Sequence, residues 1–425
     1  MTAAEELPRS GSGPGSTPGL GLELLATAWR TALDEELPAA VALRHELHAR
    51  PEVSGEEFWT AERVVEAIGL PSDDVAGTGR LLRVGSPGPA VAVRAELDAL
   101  PVQEQTGATY SATGDAMHAC GHDVHLAALV ALTRSALRLS GSAGGPGELP
   151  CGLVALLQPR EEVGPTGARD VVASGLLQQN GVRGVIGAHV QPRVPAGQVS
   201  IEPGPVNAGV DEFEITVTGR PGHTGYPHLA ADPVATLCRC VLALQDVLRG
   251  RVDPMHPATL TVTQLLAGTA PNVIPGAAWA AGTLRTMHAT DAAALYLGMA
   301  DAVAGIASAF GCDGQLSVIR GEPALVNDPV LAARAAPWLH RFGLGAQGAF
   351  ASCGSDDFAS YVEVAPIAML FVGATPGDPD GTGPDGRPWP MLHDPRFLPA
   401  DALVGDVAHA MLAGVLAAVP TLSTS

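Results

Sequence analysis

Residues 117–139 read "MHACGHDVHLAALVALTRSALRL", and the first ten of them carry one cysteine, three histidines and an aspartate. The run after His125 has apolar residues at helical spacing, which predicts an amphipathic helix preceded by Cys120, His122 and Asp123. Thiol, imidazole and carboxylate together form a ligand set suited to a divalent metal ion. Taken singly, each has an ordinary reading as well: a lone cysteine is often inert core. The decision rests on what else the chain brings to the same place.

On either side, short apolar runs alternate with helical patterns. Helices are expected around Ala40–Leu47 and Phe58–Ile68, separated by Pro51. Buried-looking strands follow at "PAVAVRAEL" near 90, "GLVALLQP" near 155 and "GVIGAHV" near 186, with helices between them, and the style resumes after 321 with "PIAMLFVG" and a final helix over about 401–418. Strand, helix, strand repeated in this way predicts an α/β fold with a mainly parallel sheet and helices on its faces. From Val210 the pattern changes. Phe213, Ile215 and Val217 alternate as in a half-buried strand, and the order that follows reads βαββαβ, a ferredoxin-like arrangement. The expected organisation is a catalytic domain of residues 1–205 and 321–425 interrupted by an inserted unit at 206–320. Residues 1–20, with "SGSGPGSTPGLG" among them, are expected to form a mobile tail.

In open parallel sheets, ligands bind at the carboxyl ends of the strands. Asp98 follows the strand near 92, Glu161 and Glu162 the strand near 155, His189 ends the strand near 186, and His393 lies in the loop after the strand near 369. A Glu-Glu pair is usually a solvated face and a single histidine usually a packed or surface one. Convergence of all these groups on one crevice, with Cys120 and His122, argues for a metal site instead.

Composition excludes other classes. The chain of 425 residues has a formal net charge of −20 and every basic side chain other than histidine is arginine, so neither a phosphate-loop lysine nor a Schiff-base lysine exists. Such acidity disfavours nucleic acid and anionic lipid as partners. Six scattered cysteines lack the spacing of a disulfide framework. With no basic-then-apolar leader and no unbroken apolar stretch long enough to cross a bilayer, a cytoplasmic location is expected. The "HELH" run at 45–48 has its histidines three apart, not the four of a zinc-protease helix, and no G-x-S-x-G elbow is present.

Ten segments in order carry a resemblance: "LRHELHARPEVSGEE", "RAELDALPVQEQTG", "MHACGHDVHLAAL", "LQPREEVGPTGA", "GAHV", "GRPGHTGYPHLAADP", "APNVIPG", "GTLRT", "GSDDFA" and "LHDPRF". Across residues 40–415 the chain resembles the metal-dependent amidohydrolases, which include N-acyl-amino-acid hydrolases, hippurate hydrolases and auxin-conjugate hydrolases. The resemblance implies a two-metal catalytic domain with an inserted lid that also dimerises. It implies Cys120, His122, Glu162, His189 and His393 as metal ligands, Glu161 as general base and Asp98 as a residue that orients a ligand. His223 matches the lid histidine that, in dimers of such enzymes, reaches the partner's site. Asn272 and Arg285 match lid residues that hold substrate, and Gly354 and Ser355 line its pocket. Arg160, at a place usually small, and "VGPTG" depart from the pattern and are expected to alter the floor of the site.

The expected chemistry is hydrolysis of the amide between an acyl group and an amino acid, using two divalent ions. Zinc suits the mixed ligands first, with manganese, cobalt or nickel as alternatives. The same site running acyl transfer to a second amine is the alternative enzymatic reading. A metal-holding protein without catalysis is the non-enzymatic one, and Glu161 argues against it because a pure binder needs no base beside a ligand.

Overall fold

The computed structural model describes residues 20–141, 149–383 and 386–420. The expected mobile tail over residues 1–20 lies, but for Leu20, outside the described residues.

Among the described residues, eight strands build the larger sheet. Across it they run Asp73–Val75, Gly79–Val84, Gly152–Gln158, Ala90–Glu96, Val182–Pro195, Ile367–Thr375, Gln198–Ser200 and Gly345–Ala346. The three central pairings, among Gly152–Gln158, Ala90–Glu96, Val182–Pro195 and Ile367–Thr375, are parallel, and antiparallel pairs flank them on both sides. Every residue of the Ala90–Glu96 and Gly152–Gln158 strands is buried. Continuous apolar runs are what strands covered on both faces require.

Helices supply the covers. Leu20–Ala49, His122–Leu139 and Leu403–Ala418 pack on one face, with Trp29, Leu126 and Leu412 in its core, against Val91, Val93 and Ala95 of the sheet. Ala90 and Ala92, pointing the other way, meet Val171 of the Gly167–Ser174 helix and Phe358 of a short 3-10 turn. The first helix starts much earlier than its periodicity suggests and continues through Pro38. Proline removes a backbone donor there, but tertiary packing outweighs the loss. Trp29 and Leu33 are buried, and Trp29 Nε1 donates to Ser135 Oγ of the next helix layer at 3.0 Å.

Between residues 209 and 320 the chain builds a second, wholly antiparallel sheet in the order Ala258–Ala267, Ala277–Thr286, Gly209–Thr218, Asp313–Arg320. Helices Pro233–Arg251 and Ala289–Ala309 cover one face, where Phe213, Ile215 and Val217 meet Leu237, Leu244 and Met299. The first of these helices begins as its sequence directs: Asp232 accepts the backbone N–H groups of Val234 and Ala235, and Pro233 occupies the first helical position. Ala289–Ala309 is long and apolar enough to cross a membrane by length and composition alone. Its Leu295, Met299 and Val303 are instead buried against the sheet.

Candidate metal centre

Gly121 sets the geometry of the motif. It lies between Cys120 and His122 at φ +84°, and a Cβ there would come within 2.6 Å of Val190 Cγ2. Only glycine adopts that conformation without strain, and only without a Cβ can the loop press against the strand that carries His189. Cys120 Sγ consequently lies 3.5 Å from His189 Nε2.

Both imidazoles are fixed in one tautomer. His122 opens its helix, buried, with Nδ1 2.8 Å from the carbonyl oxygen of Asp98. A carbonyl only accepts, so Nδ1 carries the proton and Nε2 holds the free lone pair. That Nε2 is buried without a hydrogen-bond partner, 3.9 Å from both Glu161 Oε2 and Glu162 Oε1. His189 repeats the pattern, donating from Nδ1 to the Val190 carbonyl at 2.7 Å while Nε2 faces the thiol. Metal-binding histidines are characteristically held this way, the ring N–H occupied and the other nitrogen aimed at the ion.

The carboxylates are positioned by backbone. Asp98 Oδ2 accepts the N–H groups of Glu161 and Glu162, each at 2.9 Å, and the Ser54 hydroxyl at 2.6 Å. His393 arrives on the loop after Ile367–Thr375, where its N–H donates to the Ala119 carbonyl at 2.9 Å. Its φ of +68° is left-handed, a conformation that costs a non-glycine residue about 1–3 kcal/mol and clusters at functional sites. Its Nε2 lies 3.3 Å from Glu162 Oε1.

This arrangement is electrostatically unfavourable without a cation. Cys120, His122 and Glu162 each place a ligand atom within 4.8 Å of the others. Burial, with Glu162 and Glu161 beside it, pushes the Cys120 thiol far above its usual range. Burial opposes charge on His122, but Glu96, Asp98 and Glu162 outweigh it and push the imidazole up to about 10. Burial, Asp356 and Glu162 together drive Glu161 well above the ordinary carboxylate range. Glu162 Oε1, like His122 Nε2, is buried without a hydrogen bond, a condition costing about 1–3 kcal/mol per group. Divalent cations relieve each of these, so the residues fit them.

Glu96, His122, His125 and His189 also bring ligand-type atoms within 4.8 Å of one another, but Glu96 and His125 in this set are already satisfied. His125 Nδ1 lies 2.8 Å from Glu96 Oε2, and its Nε2 accepts the Val190 N–H at 2.9 Å. Arg94 bonds the other Glu96 oxygen. In the third cluster, Glu161 with Asp356 and Asp357, the two aspartates are already paired with the same Arg94, at 3.0 and 2.9 Å.

A cavity of about 290 Å³ opens beside the centre, lined by Cys120, Glu161, Glu162, His189 and His393 and by Gly354 and Ser355 of the opposite loop. The structure therefore gathers every expected metal ligand, the expected base, Asp98 and both pocket residues. Three expectations are corrected. His189 does not end its strand: pairing with Ala90–Glu96 stops at Gly187, but pairing with Ile367–Thr375 continues to Pro195. Asp123 turns away from the crevice to accept Arg44 Nε and His48 Nδ1, each at 3.0 Å. Arg160 does not form the cavity floor; its guanidinium bonds Pro165 O and Asp170, and its backbone N–H bonds Glu57.

The lid residues divide. Arg285 Nη1 donates to the Cys353 carbonyl at 3.0 Å, next to the pocket loop. His223 and Asn272 sit together, exposed, on a two-stranded ribbon where His223 pairs with Val273, and neither lines the cavity of its own chain. Sequence reading missed Arg94 and its buried partners Glu96, Asp356 and Asp357. The signal was present: an arginine inside a buried apolar strand requires carboxylates close by.

Comparison with known proteins agrees with this geometry. A family model described as peptidase family M20/M25/M40 matches residues 92–385. The chain is 33% identical over 344 residues to an N-acetylcysteine deacetylase of Bacillus subtilis, covering 78% of this chain and 87% of that one. It is 34% identical over 302 residues to an N-acyl-L-amino acid amidohydrolase of Geobacillus stearothermophilus, covering 69% and 80%. Among solved structures, a dinuclear metal binding peptidase of the M20 family from Bacillus subtilis superimposes with a TM-score of 0.75 at 30% identity, covering 92% of this chain and all of that one.

Proposed function

The chain belongs to peptidase family M20/M25/M40, and on that premise we propose that it hydrolyses the amide bond of N-acyl amino acids, releasing a carboxylic acid and an amino acid. The observation that carries this reading is the convergence of Cys120, His122 and Glu162 within 4.8 Å, with Glu161 beside them and two buried ligand atoms left unpartnered.

In this reading Cys120, His122, Glu162, His189 and His393 hold two divalent ions. Zinc is the first candidate on donor softness, ahead of manganese, cobalt or nickel. When bound, such ions would lower the pKa of water and polarise a carbonyl. Glu161 takes the proton of the attacking water and returns it to the departing amine nitrogen. Asp98 keeps the glutamate pair and His122 in one frame. Arg285 holds the substrate carboxylate through a bidentate pair, a role supported by its bond to Cys353 beside Gly354 and Ser355.

The division we propose is a catalytic domain of residues 1–205 and 321–425 and a ferredoxin-like lid of 206–320, supported by the separate antiparallel sheet. A homodimer through the lid, with His223 reaching the partner's cavity to steady the oxyanion, is supported by the exposure of His223 and Asn272 away from their own cavity. Six cysteines, all unpaired, support a reducing, cytoplasmic setting.

The test is a panel of N-acetyl, N-benzoyl and indole-acyl amino acids with amine release as the readout. Turnover of at least one series by metal-loaded protein is expected. No amine release from any of them, with metals bound, would end the hydrolysis reading.

A further inference from the structure

Two polar side chains in the cavity wall take no part in the chemistry above. Asn207 closes the Gly204–Asn207 strand, and its backbone is pinned: it bridges Ser352, and the N–H of Ala208 lies 3.0 Å from the carbonyls of both Ser352 and Gly354. Its side chain lines the cavity at only 8% exposure, and its Oδ1 is buried without a hydrogen-bond partner. Gln191 lies two residues beyond His189 on the same strand, hence on the same side, and is 7% exposed. Its Oε1 accepts the Arg193 N–H at 3.1 Å, which fixes the amide and leaves Nε2 as a donor.

A buried acceptor without a partner costs about 1–3 kcal/mol, and native interiors leave few of them. In the wall of a binding cavity the missing partner is a ligand group. Among the described residues no arginine lines the cavity, whereas Glu161, Glu162 and Asp356 do, so a second carboxylate at this wall, beyond the one assigned to Arg285, would face acidic neighbours. An aliphatic group would leave Asn207 Oδ1, already shut off from water, without a partner and would cover Gln191 Nε2 as well. One acceptor and one donor complement a group that carries both an N–H and a C=O, and about 290 Å³ leaves room for a short one.

We propose that Gln191 and Asn207 form a specificity subsite for a short, neutral carboxamide on the substrate, beside the scissile bond. The proposal rests on the amide-hydrolysis reading above. The carboxamide belongs to either the amino acid or the acyl group, and the chemistry of recognition is the same.

Isosteric pairs test it. The first arm compares kcat/KM for N-acetyl-asparagine with N-acetyl-leucine, and the second compares N-(carbamoylacetyl)-glycine with N-isovaleryl-glycine. In one arm the carboxamide should be preferred by about tenfold or more, because a site built to hydrogen-bond rejects the apolar analogue. Asn207→Leu and Gln191→Met, tested separately with circular dichroism and metal content as folding controls, should each collapse or invert that preference. Equal or better turnover of the aliphatic partner in both arms would overturn the proposal. So would a ratio unmoved in both variants, or a preference for the cationic N-acetyl-2,4-diaminobutyrate over N-acetyl-asparagine. If nothing is hydrolysed, calorimetry of N-acetyl-asparagine and N-acetyl-leucine on zinc-loaded protein separates the two ideas. Selective carboxamide binding would sink hydrolysis and keep the subsite, and unselective binding would sink the subsite too.

Discussion

Asp98 meets His122 at two points: its backbone carbonyl receives the Nδ1 proton at 2.8 Å, and its carboxylate Oδ1 lies 3.5 Å from the same nitrogen. Its other oxygen receives the backbone N–H groups of Glu161 and Glu162. One buried residue thus aligns the imidazole, through its backbone carbonyl, and the glutamate pair, through its carboxylate. Asp98→Asn should weaken metal affinity by about 10–100-fold, measured by competition with a chelator. Unchanged affinity would remove Asp98 from that role.

Glu161 and Glu162 are neighbours with different tasks. Glu161→Gln should keep both metals and lose turnover by a factor of about 10² to 10⁴, whereas Glu162→Gln should lose metal affinity. Elemental analysis alongside initial rates separates the two, and equal metal loss in both variants would refute the assignment.

Behind the centre, Asp123 is buried between Arg44 and His48. Removing its charge with Asp123→Asn leaves the buried Arg44 guanidinium with Asp401 at 2.7 Å and the Pro399 carbonyl at 2.6 Å but without its fully buried carboxylate, which should cost about 1–3 kcal/mol of stability in urea unfolding.

The same network makes stability depend on pH with a definite sign. Burial opposes charge on His48, but Asp123 and then Glu104 outweigh it and raise its pKa. Its contribution is therefore complete below the unfolded value of about 6.5 and is lost as pH rises through the higher folded value. The stability gap between the native chain and His48→Gln should be widest near pH 6 and narrow at higher pH. A gap that widens with pH would contradict the charged pairing.

His223 tests assembly. If it acts on the partner's cavity, mixing Glu161→Ala with His223→Ala under subunit exchange creates dimers with one doubly damaged site and one site with both residues intact, so activity should return. Mixed dimers that form but stay inactive would place His223 in its own chain's chemistry or outside it.

Asp98 and the Glu161–Glu162 pair were legible because each follows the end of a buried apolar run, and that boundary is written in the sequence: "VRAEL" before Asp98, "LLQP" before the glutamates. His189 was placed less well, since the strand outlasts one of its partners and a single sequence does not display pairing length. The direction of Asp123 was not legible either, because Arg44 and His48 come from a helix some 75 residues away in sequence. Sequence reading singled out neither Asn207 nor Gln191. Only the folded wall shows that one has a buried oxygen with no partner and the other a free donor.

The central claim is that the Cys120, His122, Glu162, His189 and His393 set holds two divalent ions on which amide hydrolysis depends. Chelated protein titrated with zinc, with bound metal and N-acyl amino acid hydrolysis measured on the same samples, tests it most directly. Binding should saturate at about two ions per chain, and full activity should appear only as the second is filled. Full activity in protein that never holds more than one ion would contradict the account.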